Sequence, residues 1–332
     1  MLNETIIQWF RLLIKQLEFY VDVKTGRDKI THGYKLSSIK KSLGIIEGIG
    51  FEIKSGEQIK DYKNIGQGTV DRINEILKTG KLAEVNEADI SGKHLDYVEK
   101  LMKVFGIGRV VAYELYTKHG IKSIDDLKKA VSEKRVELPE NVMKGIKYVD
   151  QIDTRIPRSE MDEIYLFLIK QSMFTNKEMH VRMCGSYRRE KEESGDIDII
   201  ITHPEIITKS QAKESNIMLR FIEQLKREKF IIDSFTSKKV QTKYMGICRY
   251  KDNPIRRIDI RFIAEESYYT ALLYFTGSGQ WNKKMRRVAK SMGYLLNEYW
   301  LLDENKKPLS VKSESDVFCY LNMEYMDPKD RN

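Results

Sequence analysis

The sequence predicts an α+β protein, in which a helical N-terminal half is followed by a half that mixes helices and strands. Apolar side chains recur at helical spacing through the first half, as they do in amphipathic helices. Segments rich in Ile and other β-branched residues follow in the second half, which favours strands. The change falls at Ile156-Pro157, because a proline disfavours helix at the residue before it.

The helices of the first half are indicated by their apolar faces. The first predicted helix covers residues 4–20, with apolar side chains at Ile6, Ile7, Phe10, Leu13, Ile14 and Leu17. Further helices are predicted over 69–78, 109–118 and 123–131. Ser123, followed by Asp126 three positions later, has the form of an N-cap that starts the last of them.

The second half contains three segments with the pattern of strands. They are DIDIIIT at 196–202, YMGICRY at 244–250 and RIDIRFI at 257–263. Residues 214–229 and 281–291 show helical spacing instead. The second half is therefore predicted to be a mixed sheet with helices.

The composition is that of an ordinary globular chain with an excess of positive charge. The 332 residues include 58 Lys and Arg against 49 Asp and Glu, a net charge of +9, which favours a polyanionic partner. No apolar run approaches the roughly 20 residues of a membrane span. The N-terminal segment lacks the form of a secretion leader, and three scattered Cys exclude a disulfide scaffold.

Two glycine-centred segments stand directly before predicted helices. One runs from Asn64 to Gly68 and the other from Phe105 to Gly108. A tight glycine turn lets backbone N–H groups at a helix start face a phosphate. Two such turns suit a pair of helix-hairpin-helix motifs that bind DNA without sequence preference. The alternative is that both segments are plain turns between helices.

The segment CGSYRREKEESGDIDIII at 184–201 carries the strongest chemical signal. On a strand Asp196 and Asp198 share one face, and Ile197, Ile199 and Ile201 share the other. Two adjacent carboxylates repel each other unless a cation such as Mg²⁺ lies between them. Gly185-Ser186 next to arginines forms a phosphate-binding corner. The alternative is an exposed edge strand with solvated Asp side chains.

A third carboxylate, Asp259, lies in the segment RRIDIR, where Arg257 and Arg261 share its face. If this strand lies beside 196–202, the three Asp side chains converge. Three carboxylates and substrate phosphates can hold two Mg²⁺ ions for in-line phosphoryl transfer. The implied reaction is nucleotidyl transfer from a nucleoside triphosphate.

Taken together, these motifs resemble family X of the DNA polymerases, most closely its beta-type members, over nearly the whole chain. The matching stretches include IKSG, VFGIGRVVA, DTRIPRSEM, CGSYRREKEESGDIDIIITHP, RRIDIR, YYTALLYFTGSGQWNKKMRRVAKSMGYLLNEY and DPKDRN. The resemblance implies a lyase-type DNA-end-binding helical domain at 1–90 and a duplex-DNA-binding subdomain with a helix-hairpin-helix motif at 91–152. It also implies a nucleotidyltransferase palm at 153–263 and a C-terminal α/β subdomain at 264–332 that binds the nascent base pair.

The implied activity is template-directed filling of short gaps in DNA base excision repair. A dNTP would react with a primer 3′-hydroxyl and release pyrophosphate, and two Mg²⁺ and a monovalent cation (Na⁺ or K⁺) would be the cofactors. The partners would be gapped or nicked DNA with template, primer and a downstream 5′-phosphate. The resemblance further implies a monomer without membrane association, acting inside the cell and in the nucleus if the source is eukaryotic.

The resemblance also implies roles for individual residues. Asp196, Asp198 and Asp259 would bind Mg²⁺, and Asp259, oriented by Arg257, would accept the primer hydroxyl proton. The nucleotide would contact Arg155, Ser186, Arg189, Gly195, Tyr274, Phe275, Gly277 and Asn282. Arg261 would exchange a contact with Asp198 for the pair Glu298-Tyr299 when the enzyme closes.

The remaining implied roles concern DNA and the monovalent cation. The DNA contacts would be Lys35, Lys60, Gly66, Gly68, Gly106, Gly108 and Arg286, the last on the template side. The cation would bind backbone carbonyls of Lys60, Tyr62 and Ile65 in the first turn, and of Met102, Val104 and Ile107 in the second. The basic runs Lys238-Lys239, Lys283-Lys284 and Arg286-Arg287 are further candidates to face DNA.

The chain departs from the family pattern at several positions. Arg72 stands where the family has its Schiff-base lysine, and a guanidinium is not a usable amine nucleophile. We therefore expect deoxyribose-phosphate lyase activity to be weak or lost and 5′-phosphate binding to persist, with Lys35 or Lys60 as possible substitute nucleophiles. Gly279 replaces an acidic residue, and Lys63-Asn64 replaces Pro-Gly, although Asn tolerates positive φ.

Three other functions remain as alternatives. A template-independent terminal transferase would need an extra palm loop, for which the segment 230–245 leaves little room, and Tyr274 favours ordinary deoxynucleotide selection. An RNA-directed nucleotidyltransferase would not need two helix-hairpin-helix turns. A non-catalytic DNA-end-binding protein would have no use for three Asp residues.

Overall fold

The computed structural model describes residues 3–86, 92–152, 154–236 and 240–332. The chain divides into two compact units, residues 1–146 and residues 147–332. None of the described helices combines the length and the apolar character that a membrane crossing requires.

The first unit is built from helices. They are α1 (Glu4–Val23), α2 (Gly26–Glu47), α3 (Gln67–Thr79), α4 (Gly92–Met102), α5 (Arg109–His119), α6 (Ile124–Ser132) and the start of α7 (Glu140–Ile152). The predicted helices correspond to α1, α3, α5 and α6 and are confirmed. The side chain of Ser123 accepts a hydrogen bond from the Asp126 backbone N–H, so the predicted N-cap of α6 is also confirmed.

The helix α2 has no counterpart among the predictions. Its buried side chains, among them Ile39, Leu43 and Ile46, all lie in its second half, and its first half is polar and mostly exposed. An apolar face of so few residues gives little periodic signal. In the fold these residues pack into one core with Phe10 and Leu13 of α1 and with residues of α3.

The second unit contains a five-stranded mixed sheet made of β2 (His180–Met183), β4 (Ile197–Thr202), β5 (Ile231–Ser234), β6 (Lys243–Cys248) and β7 (Arg256–Phe262). The order of the strands in this sheet is β2-β4-β7-β6-β5. The short strands β1 (Ile156–Pro157) and β3 (Glu193–Ser194) pair with each other in a separate sheet. The pair β4–β7 is parallel, and the other pairs of the large sheet are antiparallel. The three predicted strands correspond to β4, β6 and β7 and are confirmed.

The helices of the sheet region are α8 (Arg158–Thr175), α9 (Gly185–Arg188), α10 (Lys209–Glu214) and α11 (Ile217–Arg227). The single helix predicted over 214–229 is therefore wrong at its start. Asn216 has a φ of 54° and separates α10 from α11. A left-handed residue cannot continue an α-helix, and Asn adopts this conformation more readily than most residues. The core contains Ile197, Ile199 and Ile258, the isoleucine face that the alternation predicts.

The chain ends in a small α/β region. It comprises α12 (Tyr268–Thr276), α13 (Gly279–Ser291), β8 (Leu295–Leu296), β9 (Leu301–Leu302) and α14 (Glu314–Tyr320). The helix predicted over 281–291 is confirmed and begins two residues earlier. Its buried residues Trp281 and Met285 pack with Phe318 of α14.

Candidate active site

Three carboxylates meet at one edge of the parallel strand pair. Asp198 of β4 lies directly opposite Asp259 of β7 in the register, and Asp196 precedes β4 by one residue. One oxygen from each of the three carboxylates lies within 4.8 Å of the others. The convergence predicted from strand alternation is therefore present, because the two strands are neighbours in the sheet.

The electrostatics of this cluster disfavour the fully ionised state. Burial and the charge of Asp259 together raise the pKa of Asp198 to about 7, although the charges of Arg189 and Arg261 act in the opposite direction. Burial also raises the pKa of Asp259, against the charges of Arg257 and Arg261. Nearby arginines thus compensate only part of the cost of gathering and burying these carboxylates.

The donor set fits a divalent metal ion. The Oδ1 atom of Asp259 is buried and has no hydrogen-bond partner among the described residues. Close carboxylates with an unpartnered oxygen are the hard ligands that Mg²⁺ prefers. Asp196, Asp198 and Asp259 could therefore hold a metal ion.

Arg257 is placed differently from the role that the resemblance assigns. Its guanidinium donates a hydrogen bond to Asp196, whereas among the described residues it has no hydrogen bond or ion pair with Asp259, on which it acts through its charge. Continuing the β4–β7 register from Asp198 and Asp259 by two residues puts Asp196 beside Arg257. The strand pairing thus explains the difference.

A cavity of about 650 Å³ opens beside the carboxylates, and Asp196 and Asp198 line it. Six of the eight predicted nucleotide-contact residues also line it: Arg155, Ser186, Arg189, Gly195, Phe275 and Gly277. Gly279 is a further lining residue, and an added Cβ there would meet no described atom within 4 Å. The cavity therefore lacks a side chain at the position where the family has an acidic one.

The corner at the start of α9 depends on Gly185. Its φ is 55°, and a Cβ at this position would collide with the carboxylate of Asp198. The neighbouring hydroxyl of Ser186 donates to Ser194 Oγ over 2.9 Å. Three residues after Ser186, Arg189 Nη1 donates to the carbonyl of Thr276 over 2.8 Å, which fixes the cation at the cavity.

The other two predicted nucleotide contacts, Tyr274 and Asn282, lie beside the cavity at the α12–α13 junction. Asn282 Nδ2 donates to the carbonyl of Tyr274 over 2.7 Å. The guanidinium of Arg286 lies 4.9 Å from the centroid of the Tyr274 ring. These three residues form one contact group.

Among the described residues, Arg261 has no hydrogen bond or ion pair with Glu298 or Tyr299. Arg261 lies 5.8 Å from the ring centroid of Phe275, and its buried Nε has no hydrogen-bond partner among the described residues. Glu298 Oε2 lies 3.9 Å from a guanidinium nitrogen of Arg286. The Nζ atom of Lys209 lies 3.7 Å from the ring centroid of Tyr299. Sequence reasoning had no signal for Lys209.

The two glycine-centred turns of the first unit share one backbone geometry. In the first turn the Ile65 N–H donates to the Tyr62 carbonyl, and in the second the Ile107 N–H donates to the Val104 carbonyl, both over 3.0 Å. Between them Asn64 has a φ of 71° and Gly106 a φ of 87°. Helices α3 and α5 then begin directly after Gly66 and Gly108. Asn64 thus adopts the positive φ that we expected of it, although a short 3₁₀ helix, Gly56–Ile59, precedes the first turn where α4 precedes the second.

A charged group surrounds Arg72. Its guanidinium donates twice to Glu84, and Lys35 Nζ donates to the same carboxylate over 2.7 Å. Arg72 Nη1 also donates to the Gly68 carbonyl over 2.7 Å. Lys60 is exposed. Glu84 was missed by sequence reasoning, because no local pattern marks a residue that meets Lys35 only through the fold.

The basic side chains of α13 lie on its exposed face. Lys283, Lys284, Arg286 and Arg287 are all exposed, whereas Trp281 and Met285 are buried. The run Lys238-Lys239 lies outside the described residues.

The chain matches known sequence families along most of its length. Residues 99–153 match the fingers domain of DNA polymerase lambda, residues 155–265 the DNA polymerase beta palm and residues 271–332 the DNA polymerase beta thumb. The three matched domains follow one another without overlap.

Whole proteins show the same similarity. DNA polymerase lambda of Arabidopsis thaliana is 29% identical over 352 aligned positions, covering 100% of this chain and 62% of that protein. DNA polymerase lambda of Rattus norvegicus is 27% identical over 308 positions, covering 88% of this chain and 51% of that protein. The chain thus spans about half to three fifths of these curated relatives.

A solved structure supports the relationship. Leishmania infantum polymerase beta, crystallised as a ternary P/T complex, is 31% identical, with a TM-score of 0.63 over 72% of this chain and 99% of that one. Together with the three matched domains and the acidic cluster on β4 and β7, this similarity establishes that the chain belongs to family X of the DNA polymerases.

Proposed function

We propose that this protein is a template-directed DNA polymerase that fills short gaps in DNA base excision repair. The observation that carries the proposal is the cluster of Asp196, Asp198 and Asp259 beside a cavity lined by arginines. Cationic and small residues suit the triphosphate of a dNTP, and the carboxylates suit the cations that accompany it. Family membership supports the same chemistry.

The three carboxylates would hold two Mg²⁺ ions. When bound, these ions supply charge neutralisation for the triphosphate and the leaving pyrophosphate and activate the primer 3′-hydroxyl. The Asp259 carboxylate would accept the hydroxyl proton, a role that suits a carboxylate with a raised pKa. Arg257 bonds to Asp196 and would hold that ligand in place.

The remaining cavity residues would bind and orient the nucleotide. Arg155, Ser186 and Arg189 would contact the triphosphate, and Gly195 would approach it with its backbone. Tyr274 and Phe275 would flank the sugar, next to the backbone of Gly277. Asn282 would contact the incoming base in the minor groove and Arg286 the template strand.

The DNA would be held by the two turns of the first unit. Backbone N–H groups near Gly66, Gly68, Gly106 and Gly108 would face DNA phosphates. A monovalent cation, Na⁺ or K⁺, would bind carbonyls of the two turns: Lys60, Tyr62 and Ile65 in the first, and Met102, Val104 and Ile107 in the second. Domains at 1–90, 91–152, 153–263 and 264–332 would bind the DNA end, the duplex, the metals and the nascent base pair. We expect a monomer that acts inside the cell, in the nucleus of a eukaryotic source.

The test is primer extension with Mg²⁺ on a one-nucleotide gap, with and without a downstream 5′-phosphate. Asp259→Ala should lower extension at least about 100-fold, because it removes both a metal ligand and the proton acceptor. DNA binding, measured by fluorescence anisotropy, should stay nearly unchanged.

The matched control is Asp252→Ala, which removes an exposed carboxylate from the turn before β7. It should extend like the wild type. Equal extension by Asp259→Ala and the wild type would contradict the proposal. Efficient extension of a primer without template would identify a terminal transferase instead. The short connection from Ser234 to Lys243 between β5 and β6 favours the templated reaction.

A further inference from the structure

The first unit contains a site in which two cations converge on one carboxylate. Lys35 Nζ and Arg72 Nη2 donate to the same oxygen of Glu84, Oε2, over 2.7 and 3.2 Å. The Nε atom of Arg72 donates to the other oxygen, Oε1. The carboxylate thus accepts a bidentate bond from the guanidinium and a third bond from the amine.

The three side chains are partly buried but remain accessible to solvent. The exposed fractions are 39% for Lys35, 20% for Arg72 and 28% for Glu84. Burial raises the pKa of Glu84, but the bonds and charges of Arg72 and Lys35 outweigh burial and lower it. Glu84 is therefore ionised at neutral pH and neutralises part of the charge of its two partners.

Arg72 would keep one of its hydrogen bonds if the carboxylate moved away. Arg72 Nη1 donates to the carbonyl of Gly68, one turn earlier in α3, over 2.7 Å. Arg72 therefore has an anchor that is independent of Glu84. A fixed guanidinium next to an amine binds phosphate oxygens with the same donors that bind a carboxylate.

We propose that Glu84 is an internal competitor that occupies an anion site made by Lys35 and Arg72, and that a DNA 5′-phosphate must displace it in order to bind there. The inference rests on the proposed function in one respect, namely that the phosphate belongs to DNA. It follows that the wild-type protein distinguishes poorly between a 5′-phosphate and a 5′-hydroxyl at a gap. Glu84 sets this preference without contacting the DNA.

The test compares binding of two gapped DNAs that differ only in the downstream 5′-phosphate or 5′-hydroxyl. Binding is measured by fluorescence anisotropy with the full chain, in EDTA and without dNTP. Glu84→Gln should raise the preference for the 5′-phosphate about tenfold, the change in affinity that corresponds to one hydrogen bond between charged groups. Adding Lys35→Ala to Glu84→Gln should remove most of the gain.

The matched control is Glu47→Gln, which changes the net charge equally. It breaks the pair of Arg11 and Glu47, whose side chains are 60% and 39% exposed. Its phosphate preference should equal that of the wild type. An unchanged preference in Glu84→Gln, with circular dichroism showing a folded protein, overturns the inference, and so does an equal gain in Glu47→Gln. Loss of gap filling in the separate extension assay would reject the proposed function without altering this result.

Discussion

Gly185 shows how one residue without a side chain shapes the active site. It has a φ of 55°, and its α-carbon faces the carboxylate of Asp198 so closely that a Cβ has no room. The backbone of the proposed phosphate-binding corner and a proposed metal ligand thereby come into contact. An alanine at position 185 would be disfavoured for two reasons. Its Cβ would collide with Asp198, and a positive φ strains residues that carry a Cβ.

We predict that Gly185→Ala lowers primer extension about 100-fold, because the methyl group displaces Asp198. It should also lower the free energy of unfolding by about 1 kcal/mol or more. Extension kinetics and denaturant unfolding measure the two effects. The control is Gly44→Ala in α2, because a Cβ added there would meet no described atom within 4 Å. A fully active Gly185→Ala would contradict the steric argument.

Arg72 also determines chemistry at the scale of one residue. Its guanidinium is bonded to Glu84 and Gly68 and cannot serve as an amine nucleophile. Lys35 supplies the amine of this group, and its Nζ is engaged in a hydrogen bond to Glu84. Both facts support the expected loss of lyase chemistry.

We predict little borohydride trapping of the protein on an incised abasic site. Trapping requires a Schiff base between a free amine and the deoxyribose phosphate. A lyase-proficient member of the family, tested on the same substrate, provides the positive control. Trapping as strong as in that control would show that another amine, such as Lys60, replaces the missing lysine.

At the scale of elements, the parallel pair β4–β7 forms the site. Alternation along β7 places Arg257, Asp259 and Arg261 on one face, each half-buried, between fully buried neighbours. The register then places Asp198 opposite Asp259. A shift by one residue would turn these side chains into the core, so the hydrophobic face of β7 also fixes the position of the carboxylates.

We predict that Arg261→Ala changes the single-turnover rate and the misinsertion frequency several-fold. Arg261 carries a positive charge close to both Asp198 and Asp259. The family resemblance implies that it exchanges partners when the enzyme closes, so its loss should alter how the site assembles. Arg249→Ala, which truncates an exposed arginine just after β6, should behave like the wild type. Unchanged single-turnover rates and misinsertion in Arg261→Ala would count against the switch.

At the scale of the whole molecule, the second unit is tied together by a buried ion network. Glu314 bonds to Arg188 beside the cavity and to Arg331 near the end of the chain. Arg188 also donates to the Thr276 hydroxyl at the end of α12. Arg331 is fully buried, and its carbonyl accepts a bond from the backbone N–H of Ser278. The last residues of the sequence therefore support the segment that lines the cavity.

We predict that Glu314→Gln destabilises the protein by about 3 kcal/mol at pH 7, because it leaves buried arginine charges uncompensated. Burial raises the pKa of Glu314, but its bonds to Arg188 and the charges of Arg188 and Arg331 outweigh burial and lower it. A lowered pKa contributes stability that is complete above the ordinary value of 4.5 and is lost as the pH falls through the native pKa. The difference between variant and wild type should therefore shrink below about pH 4.5.

Denaturant unfolding across this pH range measures the effect. The control is Glu163→Gln, which breaks an exposed pair with Lys251 and should cost less than about 1 kcal/mol. A constant difference between Glu314→Gln and the wild type from pH 7 to pH 3 would show that packing and not charge makes Glu314 important.

Local patterns in the sequence were sufficient for much of the fold and for the acidic cluster. Strand alternation predicted the faces of β4 and β7, and apolar periodicity predicted α1, α3 and α5. The helix α2 and the break at Asn216 escaped prediction, because a short apolar face and a single left-handed residue leave little periodic signal. The family resemblance added the cavity residues, six of which the structure brings together.

The sequence by itself thus determined the class of fold, the family and the identity of the three carboxylates, since each of these is marked by local motifs. The tertiary structure decided that Arg257 bonds to Asp196, that Glu84 neutralises Lys35 and Arg72, and that Arg331 supports the cavity through Glu314. The members of these pairs are separated by 12 to 61 positions in the sequence, and the fold selects them as partners. Such contacts leave no local pattern, because their energy arises only after the chain has folded.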